Sequence, residues 1–372
     1  MKIMFIVGTR PEAIKLAPVI KYFQDKGEDL IICDTGQHKE MLAQTFSCFD
    51  ITPDVQLKTM KAGQSLNQLA SRLLSEIDQV IETKQPTHII VQGDTTSALC
   101  GGLAGFHRGV EVCHLEAGLR THDLNSPFPE EANRSLLARI TTTHFAPTQR
   151  AMNELLNEGI KRSDIKIVGN TVVDSIGLIS KEWGVTAPKV CETISLNEPT
   201  VLVTCHRREN FGSVLSGICL ALEKLCLRYK DHQFVFPVHL NPVVRDTVYN
   251  RLSDIQNLKL IEPLDYPSML YLIKNCDLVI SDSGGIQEEA PSFGVPVVVM
   301  RNHTERIEGV NAGFAELAGQ NPDAIFTAAC RWLDNPESAR QLSKNNNPYG
   351  DGDASARVWA KLANQQFEEF VG

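Results

Sequence analysis

Short apolar runs alternate with longer stretches of helical periodicity along most of the chain. The first series of runs is MKIMFIV, DLIICDTG, THIIVQGD, VEVCHLEAG, TTTHFAPT and DIKIVGNT; after about residue 195 a second series follows, PTVLVTCHR, HQFVFPVHLNP, LKLIEPLD, CDLVISDSGG and VPVVVMR. Buried strands that alternate with helices are typical of parallel sheets joined by right-handed crossovers. The pattern predicts an α/β fold class with two Rossmann-like, doubly wound domains.

The segment between the two series, residues 181–199, has little apolar periodicity and is interpreted as a connection or a peripheral segment. The last pattern, SARVWAKLANQQFEEFV, predicts an amphipathic helix. We therefore expect an N-terminal domain at residues 1–170, a C-terminal domain at 171–353 and a C-terminal helix at 354–372. Doubly wound sheets bind ligands at the carboxyl ends of their strands, so functional residues are expected in strand-to-helix loops.

Composition excludes several classes of protein. The net charge of −9 argues against a nucleic-acid partner, and no apolar stretch is long enough to predict a membrane span. The N-terminal run ends too early, at GTRP, for a secretory signal. The ten cysteines are scattered without CxxC pairs or zinc-type spacing, which indicates reduced thiols in a cytoplasmic protein and no metal site.

The loop GTRPEAIK follows the first strand and opens a helix. Pro11 suits the first helical position, and Arg10 and Lys15 place two cations near the helix N-terminus. Such an arrangement favours an anion, although two solvated surface charges would have the same sequence.

Three further loops of the first half carry carboxylates. Asp94 in VQGDTTS either caps the following helix or faces the strand ends. Glu116 in HLEAGLRT lies in an apolar context, so its carboxylate is expected either to be paired, with Arg120 as one candidate, or to be protonated with a raised pKa. Glu130 and Arg134 in PEEANR are spaced i and i+4, so a plain helix ion pair is the alternative to a functional role.

In the second half, strand-end loops carry histidines, cations and glycines. His206 in TCHRREN ends a strand beside arginines and is a candidate acid or base near neutral pH. His239 repeats this placement in VHLNP. In SDSGGIQEEA a glycine turn suited to phosphate is followed by two glutamates, and in RNHTERIEG a strand is followed by Arg306.

These groups together favour acid/base chemistry on an anionic substrate. Metal-dependent hydrolysis, serine hydrolysis and dinucleotide redox chemistry are disfavoured, because a ligand cluster, GxSxG and a GxGxxG after the first strand are all absent from the sequence.

The motifs GTRPEAIK, TGQH, GDTTS, HLEAGLRT, PEEANR, HRREN, HLNP, SDSGGIQEEAPS and NPYGDG occur in this order. Together they resemble the non-hydrolysing UDP-N-acetylglucosamine 2-epimerases, and the resemblance covers nearly the whole chain. It implies a fold of the glycosyltransferase-B type with the active site in the interdomain cleft and the last helix crossing back. It also implies a homodimer, no cofactor, and a role in supplying ManNAc-type sugars for cell-surface polysaccharide.

The reaction that the resemblance implies converts UDP-GlcNAc reversibly into UDP-ManNAc. UDP is eliminated across C1–C2, a bound 2-acetamidoglucal is left, and UDP adds back with C2 inverted. The implied acid/base residues are Asp94, Glu116, Glu130 and His206. The implied contacts to the UDP-sugar are Arg10, Lys15, Arg134, Ser283, Gly284, Gly285, Glu289 and Arg306. A second UDP-GlcNAc, acting as an allosteric activator, would contact Gln37, His38, Arg207 and His239.

Two positions depart from the family pattern: Ile307 replaces a proline after Arg306, and Cys205 replaces a small residue before His206. The acid/base set is intact, but these changes leave a related UDP-2-acetamido sugar open as the substrate. A hydrolysing epimerase that releases ManNAc and a glycosyltransferase of the same fold are further alternatives. A catalytically inactive UDP-sugar sensor is disfavoured, since all four acid/base residues are present.

Overall fold

The computed structural model describes residues 1–37, 39–184, 188, 194–195, 197–207 and 210–372, and it divides into two compact units. The first unit comprises Met1–Ile179 with Tyr349–Gly372, and the second comprises Ser180–Pro348. The units therefore divide at 179/180 and 348/349, where the sequence pattern placed boundaries at 170/171 and 353/354. Part of the weakly periodic segment 181–199 lies outside the described residues.

The first unit contains a seven-stranded parallel sheet in the order β3-β2-β1-β4-β5-β6-β7. Its strands are Lys2–Val7 (β1), Asp29–Asp34 (β2), Val55–Gln56 (β3), His88–Gln92 (β4), Glu111–Leu115 (β5), Thr143–Ala146 (β6) and Ile165–Ile167 (β7). Its helices are Arg10–Asp25 (α1), Lys39–Cys48 (α2), Leu66–Lys84 (α3), Thr96–His107 (α4), Glu130–Ile140 (α5), Gln149–Asn157 (α6) and Thr171–Lys181 (α7). A short 3₁₀ turn occupies Arg162–Asp164, and another, at Glu182–Gly184, follows α7 just inside the second unit.

The second unit contains a six-stranded parallel sheet in the order β10-β9-β8-β11-β12-β13. Its strands are Thr200–Thr204 (β8), Gln233–Pro237 (β9), Leu258–Ile261 (β10), Leu278–Ser281 (β11), Val297–Val299 (β12) and Ala315–Leu317 (β13). Its helices are Ser213–Arg228 (α8), Pro242–Leu252 (α9), Tyr266–Lys274 (α10), Gly284–Glu289 (α11), Ile307–Asn311 (α12), Pro322–Leu333 (α13) and Pro336–Leu342 (α14), with a 3₁₀ turn at Ala290–Phe293.

The predicted class, two Rossmann-like doubly wound units, is confirmed by these sheets. Every apolar run quoted above contains a strand, and each sheet is buried between apolar clusters on its helices. The glycine-rich connection TTSALCGGLAGFHRG is helical over α4. Glycine at position 102 lets α4 pack closely on α5, since a side chain there would put its Cβ 2.4 Å from the Leu137 Cδ1. Strands β3 and β13 lie outside the predicted runs, because Val55–Gln56 and Ala315–Leu317 are only partly buried and form no apolar run.

The C-terminal segment of the first unit forms a helix, Ala354–Leu362 (α15), that packs on α1. The helix ends at Leu362 rather than at residue 372, because Asn364 adopts a left-handed conformation and the Gln365 amide donates back to the Ala360 carbonyl at 2.8 Å. Beyond it, the Phe370 amide donates to the Ile167 carbonyl at the end of β7, at 3.0 Å.

Within the described residues the cysteines are free, and all except Cys48 are buried. Cys191 lies outside the described residues. No three or more His, Cys, Asp or Glu side chains of the described part are grouped as a metal ion would require. None of the described helices combines the length and the apolar character needed to cross a bilayer.

Candidate active site

Each sheet has one switch point, where the strand order reverses: between β1 and β4 in the first unit, and between β8 and β11 in the second. Open α/β sheets bind ligands outside the carboxyl ends of the strands at such points. The loops that leave β1 and β4 carry Arg10 and Asp94, and those that leave β8 and β11 carry His206 and Ser283. The predicted residues on these four loops therefore lie at the switch point of their own unit.

Glu116 follows β5 in a left-handed conformation, with φ +64°. One carboxylate oxygen accepts a hydrogen bond from Lys15 Nζ and the other accepts one from Gln92 Nε2. Arg120 was one candidate partner for Glu116, and that interpretation is wrong: Arg120 forms a bidentate pair with Glu158, at 2.5 and 2.9 Å. Lys15 and Gln92 reach Glu116 because β1, β4 and β5 are neighbours in the sheet.

Asp94 lies two residues beyond β4 and is paired with Arg134 of α5. The Asn133 amide group also donates to the Asp94 carbonyl, at 2.8 Å. The N-cap of α4 is Thr95, whose hydroxyl accepts the Ala98 amide hydrogen at 3.0 Å, so the interpretation of Asp94 as that cap is wrong. The Asp94 carboxylate is thus available as a charged group of the site rather than as a helix cap.

Arg134 has two carboxylate partners, Asp94 and Glu131, and the latter lies 3.3 Å from Nη1. The alternative of a plain i, i+4 pair between Glu130 and Arg134 is therefore not what the structure contains. Glu131 is buried and accepts the Thr121 and His122 amides, at 3.1 and 3.0 Å. It joins the loop after β5 to the start of α5.

Glu130 is the first residue of α5 and is partly exposed. Arg10 is likewise the first residue of α1 and is partly exposed. Among the described residues, neither side chain forms an ion pair or a hydrogen bond with another group. The structure thus brings Lys15 to Glu116 and Arg134 to Asp94, whereas Arg10 and Glu130 belong to neither pair.

A further carboxylate, Glu12, lies beneath the loops that follow β1 and β4. Its Oε2 accepts the amides of Gly8 and Thr9, at 2.8 and 2.6 Å, and its Oε1 accepts the Thr95 hydroxyl at 2.6 Å. Burial raises the pKa of Glu12 to about 7, although these hydrogen bonds act to lower it. Glu12 therefore ties together the loops that carry Arg10 and Asp94.

In the second unit, His206 and Asp282 meet at the ends of β8 and β11. His206 Nδ1 lies 3.0 Å from Asp282 Oδ1. Burial would raise the pKa of Asp282, but hydrogen bonds from His206, the Arg207 amide and Asn210 hold it at about 2. Asp282 is therefore an ionised, fully buried partner of a half-exposed imidazole.

The stretch SDSGGIQEEA forms the end of β11 and the helix α11. Ser283 is the helix N-cap, and its hydroxyl accepts the Ile286 amide at 3.4 Å. A Cβ built on Gly285 would face both the Ser283 hydroxyl and a Glu289 carboxylate oxygen, each at 3.8 Å. Ser283, Gly285 and Glu289 therefore border the same space.

Arg306 lies directly over the same turn. A side chain at Gly284 would put its Cβ 3.1 Å from the guanidinium carbon, so only glycine lets Arg306 approach this closely. Arg306 Nε donates to Glu288 at 2.9 Å, and Nη1 donates to Glu305 at 3.1 Å. Burial alone would raise the pKa of Glu305, but the charges of Arg306 and Arg301 hold it at about 2.

The residues predicted to bind an activator are spread over both units. Gln37 accepts the Ser97 hydroxyl at 2.8 Å, two residues beyond the cap of α4. Arg207 donates from Nε to the Asp282 carbonyl at 3.0 Å. Burial, together with nearby His206, lowers the pKa of His239. His38 lies outside the described residues.

Sequence reasoning missed four residues that hold these groups in place: Glu12, Gln92, Asp282 and Glu288. Asp282 and Gln92 stand at or beside a strand end next to a predicted site residue, so strand-end placement is the signal that could have found them. Glu288 follows the glycine turn and accepts a hydrogen bond from Arg306 directly. For Glu12, the signal in the sequence is the capping-box spacing, with Thr9 at the N-cap of α1 and Glu12 three residues later.

Comparisons with known proteins give these sites a context. Residues 21–363 match the family model for UDP-N-acetylglucosamine 2-epimerase. The chain belongs to the UDP-N-acetylglucosamine 2-epimerase family. It is 44% identical to a Ralstonia nicotianae protein named as a probable UDP-N-acetylglucosamine 2-epimerase, over 96% of this chain and 97% of that protein.

Two solved structures are similar over nearly the whole chain. The Neisseria meningitidis UDP-GlcNAc 2-epimerase, bound to UDP-GlcNAc, is 40% identical with a TM-score of 0.93 and covers 98% of this chain and 100% of its own. An S. aureus protein in complex with UDP is 39% identical with a TM-score of 0.90, over 100% and 99% of the two chains. The predicted glycosyltransferase-B type of fold and the predicted family are confirmed, and the protein is a member of a family of isomerases.

Proposed function

We propose that this chain interconverts UDP-GlcNAc and UDP-ManNAc by eliminating UDP across C1–C2, holding 2-acetamidoglucal, and adding UDP back with C2 inverted. Family membership and the UDP-GlcNAc bound to the Neisseria relative support this substrate. The observation that carries the proposal is the arrangement of paired groups: the first unit places a partly exposed carboxylate, Asp94, beside a buried arginine, and the second places the Arg306 guanidinium and the His206 imidazole beside buried carboxylates.

The second unit would bind the nucleotide. Arg306 and the amides of Gly284 and Gly285 would face the diphosphate, with the Ser283 hydroxyl beside them. Glu289 borders the same space and would accept hydrogen bonds from the ribose hydroxyls. The S. aureus relative in complex with UDP supports a nucleotide site in this family. A diphosphate next to a ribose diol explains why a phosphate-type turn is followed by a glutamate.

Asp94, Glu116, Glu130 and His206 would share the proton transfers. The C2 hydrogen of the substrate is weakly acidic, so elimination needs a positioned base on one face and an acid for the other. Developing charge on the leaving diphosphate needs fixed cations, which lower the barrier because they are already oriented. Arg10, Lys15 and Arg134 would supply further positive charge beside the carboxylates.

A second UDP-GlcNAc would act as an activator at Gln37, His38, Arg207 and His239. Two contacts support coupling to the reaction: Gln37 bonds Ser97 of the helix that Thr95 caps, and Arg207 bonds Asp282, the partner of His206. A homodimeric state, a cytoplasmic location and the supply of ManNAc-type sugars for cell-surface polysaccharide complete the proposal.

Incubation with UDP-GlcNAc in deuterated water tests the reaction, with the products identified by NMR. Elimination and re-addition require deuterium at C2 of UDP-ManNAc. A product without deuterium at C2 would exclude the mechanism. Stoichiometric free UDP with free ManNAc would indicate a hydrolysing epimerase, and transfer of the sugar to an acceptor would indicate a glycosyltransferase.

A further inference from the structure

The contacts of Asp282 are divided unequally between its two oxygens. Oδ2 accepts the amide hydrogens of His206 and Arg207, at 3.0 and 2.9 Å, and the Asn210 side-chain amide at 2.8 Å. Oδ1 accepts His206 Nδ1 at 3.0 Å, with the His206 amide at 3.2 Å. Asn210 is itself fixed, since its Oδ1 accepts a hydrogen bond from Gln320 at 2.7 Å.

We propose that Asp282 is a positioning residue that holds His206 in the tautomer with its ring proton on Nδ1, leaving Nε2 to exchange a proton with the substrate. An ionised carboxylate has no hydrogen to donate, so the contact at Oδ1 requires a hydrogen on Nδ1. The backbone and Asn210 donors at Oδ2 prevent the carboxylate from rotating away from the ring. This inference rests on the proposed function, in which His206 is an acid/base residue.

The arrangement matters because a free imidazole exchanges between tautomers and rotamers. The side chain of Asp282 is fully buried, whereas 45% of the His206 side chain is exposed. The carboxylate therefore orients the ring from the buried side and leaves the opposite nitrogen facing outward. A base that is already oriented does not need to be ordered during the reaction, which lowers the barrier.

The substitution Asp282→Asn should reverse the tautomer of His206 and keep the hydrogen bonds that hold residue 282 in place. The three donors at Oδ2 fix the amide oxygen at that position, so the new NH₂ group points at His206 Nδ1. Nδ1 must then accept, and the ring hydrogen moves to Nε2. We expect kcat to fall by about 10²–10⁴-fold, as expected for loss of a general acid or base, while the dissociation constant of UDP changes by less than about threefold.

His206→Asn should give a loss of kcat of similar size, and the double variant should lose no more than the larger single loss. Asp277→Asn is the matched control. Asp277 is an exposed aspartate that precedes β11 and accepts the Thr200 amide at 2.8 Å, so its substitution should leave kcat unchanged. Full kcat in Asp282→Asn, or strictly additive losses in the double variant, would overturn the inference.

The tautomer is measured directly by NMR of ¹⁵N-histidine-labelled protein, at a pH where the ring is neutral, with His206 assigned from its absence in His206→Asn. The native protein should show a protonated Nδ1, and Asp282→Asn a protonated Nε2. A protonated Nε2 in the native protein refutes the inference even if the variant fails to fold. Native protein that does not exchange the C2 hydrogen with solvent would refute the proposed reaction, whereas the tautomer would stand as measured.

Discussion

The two units arrange their charge pairs in opposite ways. In the first unit 27% of the Asp94 side chain is exposed and 5% of its partner Arg134. In the second unit 15% of Arg306 is exposed against 2% of Glu288, and 45% of His206 against none of Asp282. The Lys15–Glu116 pair, at 9% each, favours neither side.

The difference suggests a division of labour. In the first unit, a buried cation orients a partly exposed carboxylate, which suits a group that takes a proton. In the second unit, a buried carboxylate orients the Arg306 guanidinium, which suits a group that meets a diphosphate, and another orients the His206 imidazole, which suits a group that exchanges a proton. Leaving a buried ion unpaired is expensive, so each exposed charge depends on a buried partner. Substitutions of Asp94 and of Arg306 should therefore affect different kinetic constants, whereas His206 takes part in proton transfer and its loss should lower kcat.

The largest effect is expected from Asp94→Asn. The amide can still accept from Arg134 but is not a base, so kcat should fall by about 10³-fold with the dissociation constant of UDP within about threefold. Steady-state kinetics and UDP titration measure the two. Glu158→Gln is the matched control, because Glu158 also pairs with a buried arginine of the first unit, Arg120. Equal losses of kcat and UDP affinity would contradict the division of labour.

Glu12 differs from the ion pairs of both units, because the hydrogen-bond partners of this buried carboxylate are neutral donors rather than cations. Burial raises its pKa from 4.5 to about 7, so the folded protein binds a proton over a range where the unfolded chain does not. The contribution of Glu12 to the free energy of unfolding is fully present below pH 4.5. It is lost as the pH rises through 7, so the free energy of unfolding falls by ~3 kcal/mol. Glu12→Gln should flatten the free energy of unfolding, measured with urea, across this range.

Asp174→Asn is the comparison for Glu12→Gln. Asp174 accepts the first amides of α15, and burial raises its pKa from 3.8 to about 6. Asp174→Asn should flatten the free energy of unfolding between pH 3.8 and 6, and it should leave the decline of that free energy between pH 6 and 7 in place. A Glu12→Gln profile with the native slope between pH 6 and 7 would show that Glu12 does not titrate there.

The sequence predicted where the site residues stand but not what they contact. Strand ends can be read from apolar runs, and this placed Asp94, Glu116, His206 and Ser283 in their loops. The partner of Glu116 depends on the sheet order. Lys15 lies 101 residues away in sequence, and it reaches Glu116 because β1, β4 and β5 are consecutive strands of the sheet. Arg120, four residues from Glu116, was the nearest cation in sequence, and it pairs with Glu158.

The switch-point rule could have found Asp282. Once β8 and β11 are taken as neighbours, the first two residues after each strand must lie close together, and the chain has His206 and Asp282 there. That step needs the strand order, which alternating patterns do not supply. Which partner of a pair is exposed and which is buried is harder still to predict from the sequence, because it depends on how the helices pack around each loop.

A smaller effect than those of Asp94 and Glu12 is expected from Arg306→Ala. Its charge-assisted hydrogen bonds to a diphosphate would contribute about 1.5–3 kcal/mol, so UDP affinity should fall by about 10–100-fold. Calorimetric titration with UDP measures this. Arg245→Ala removes a guanidinium paired with Glu262 in the same unit, and should leave affinity unchanged. Undiminished UDP binding in Arg306→Ala would remove this residue from the nucleotide site.

The smallest effect, and the sharpest test of what a buried carboxylate does, is expected at Glu288. Glu288→Gln keeps an acceptor for Arg306 Nε and removes one negative charge near the diphosphate, so UDP should bind about two- to fivefold more tightly. Glu288→Ala removes the acceptor as well, so Arg306 loses its orientation and UDP should bind a few-fold more weakly. Opposite signs in the two variants identify orientation as the role of Glu288. Tighter binding in both would mean that its charge alone matters and that Arg306 is oriented by Glu305.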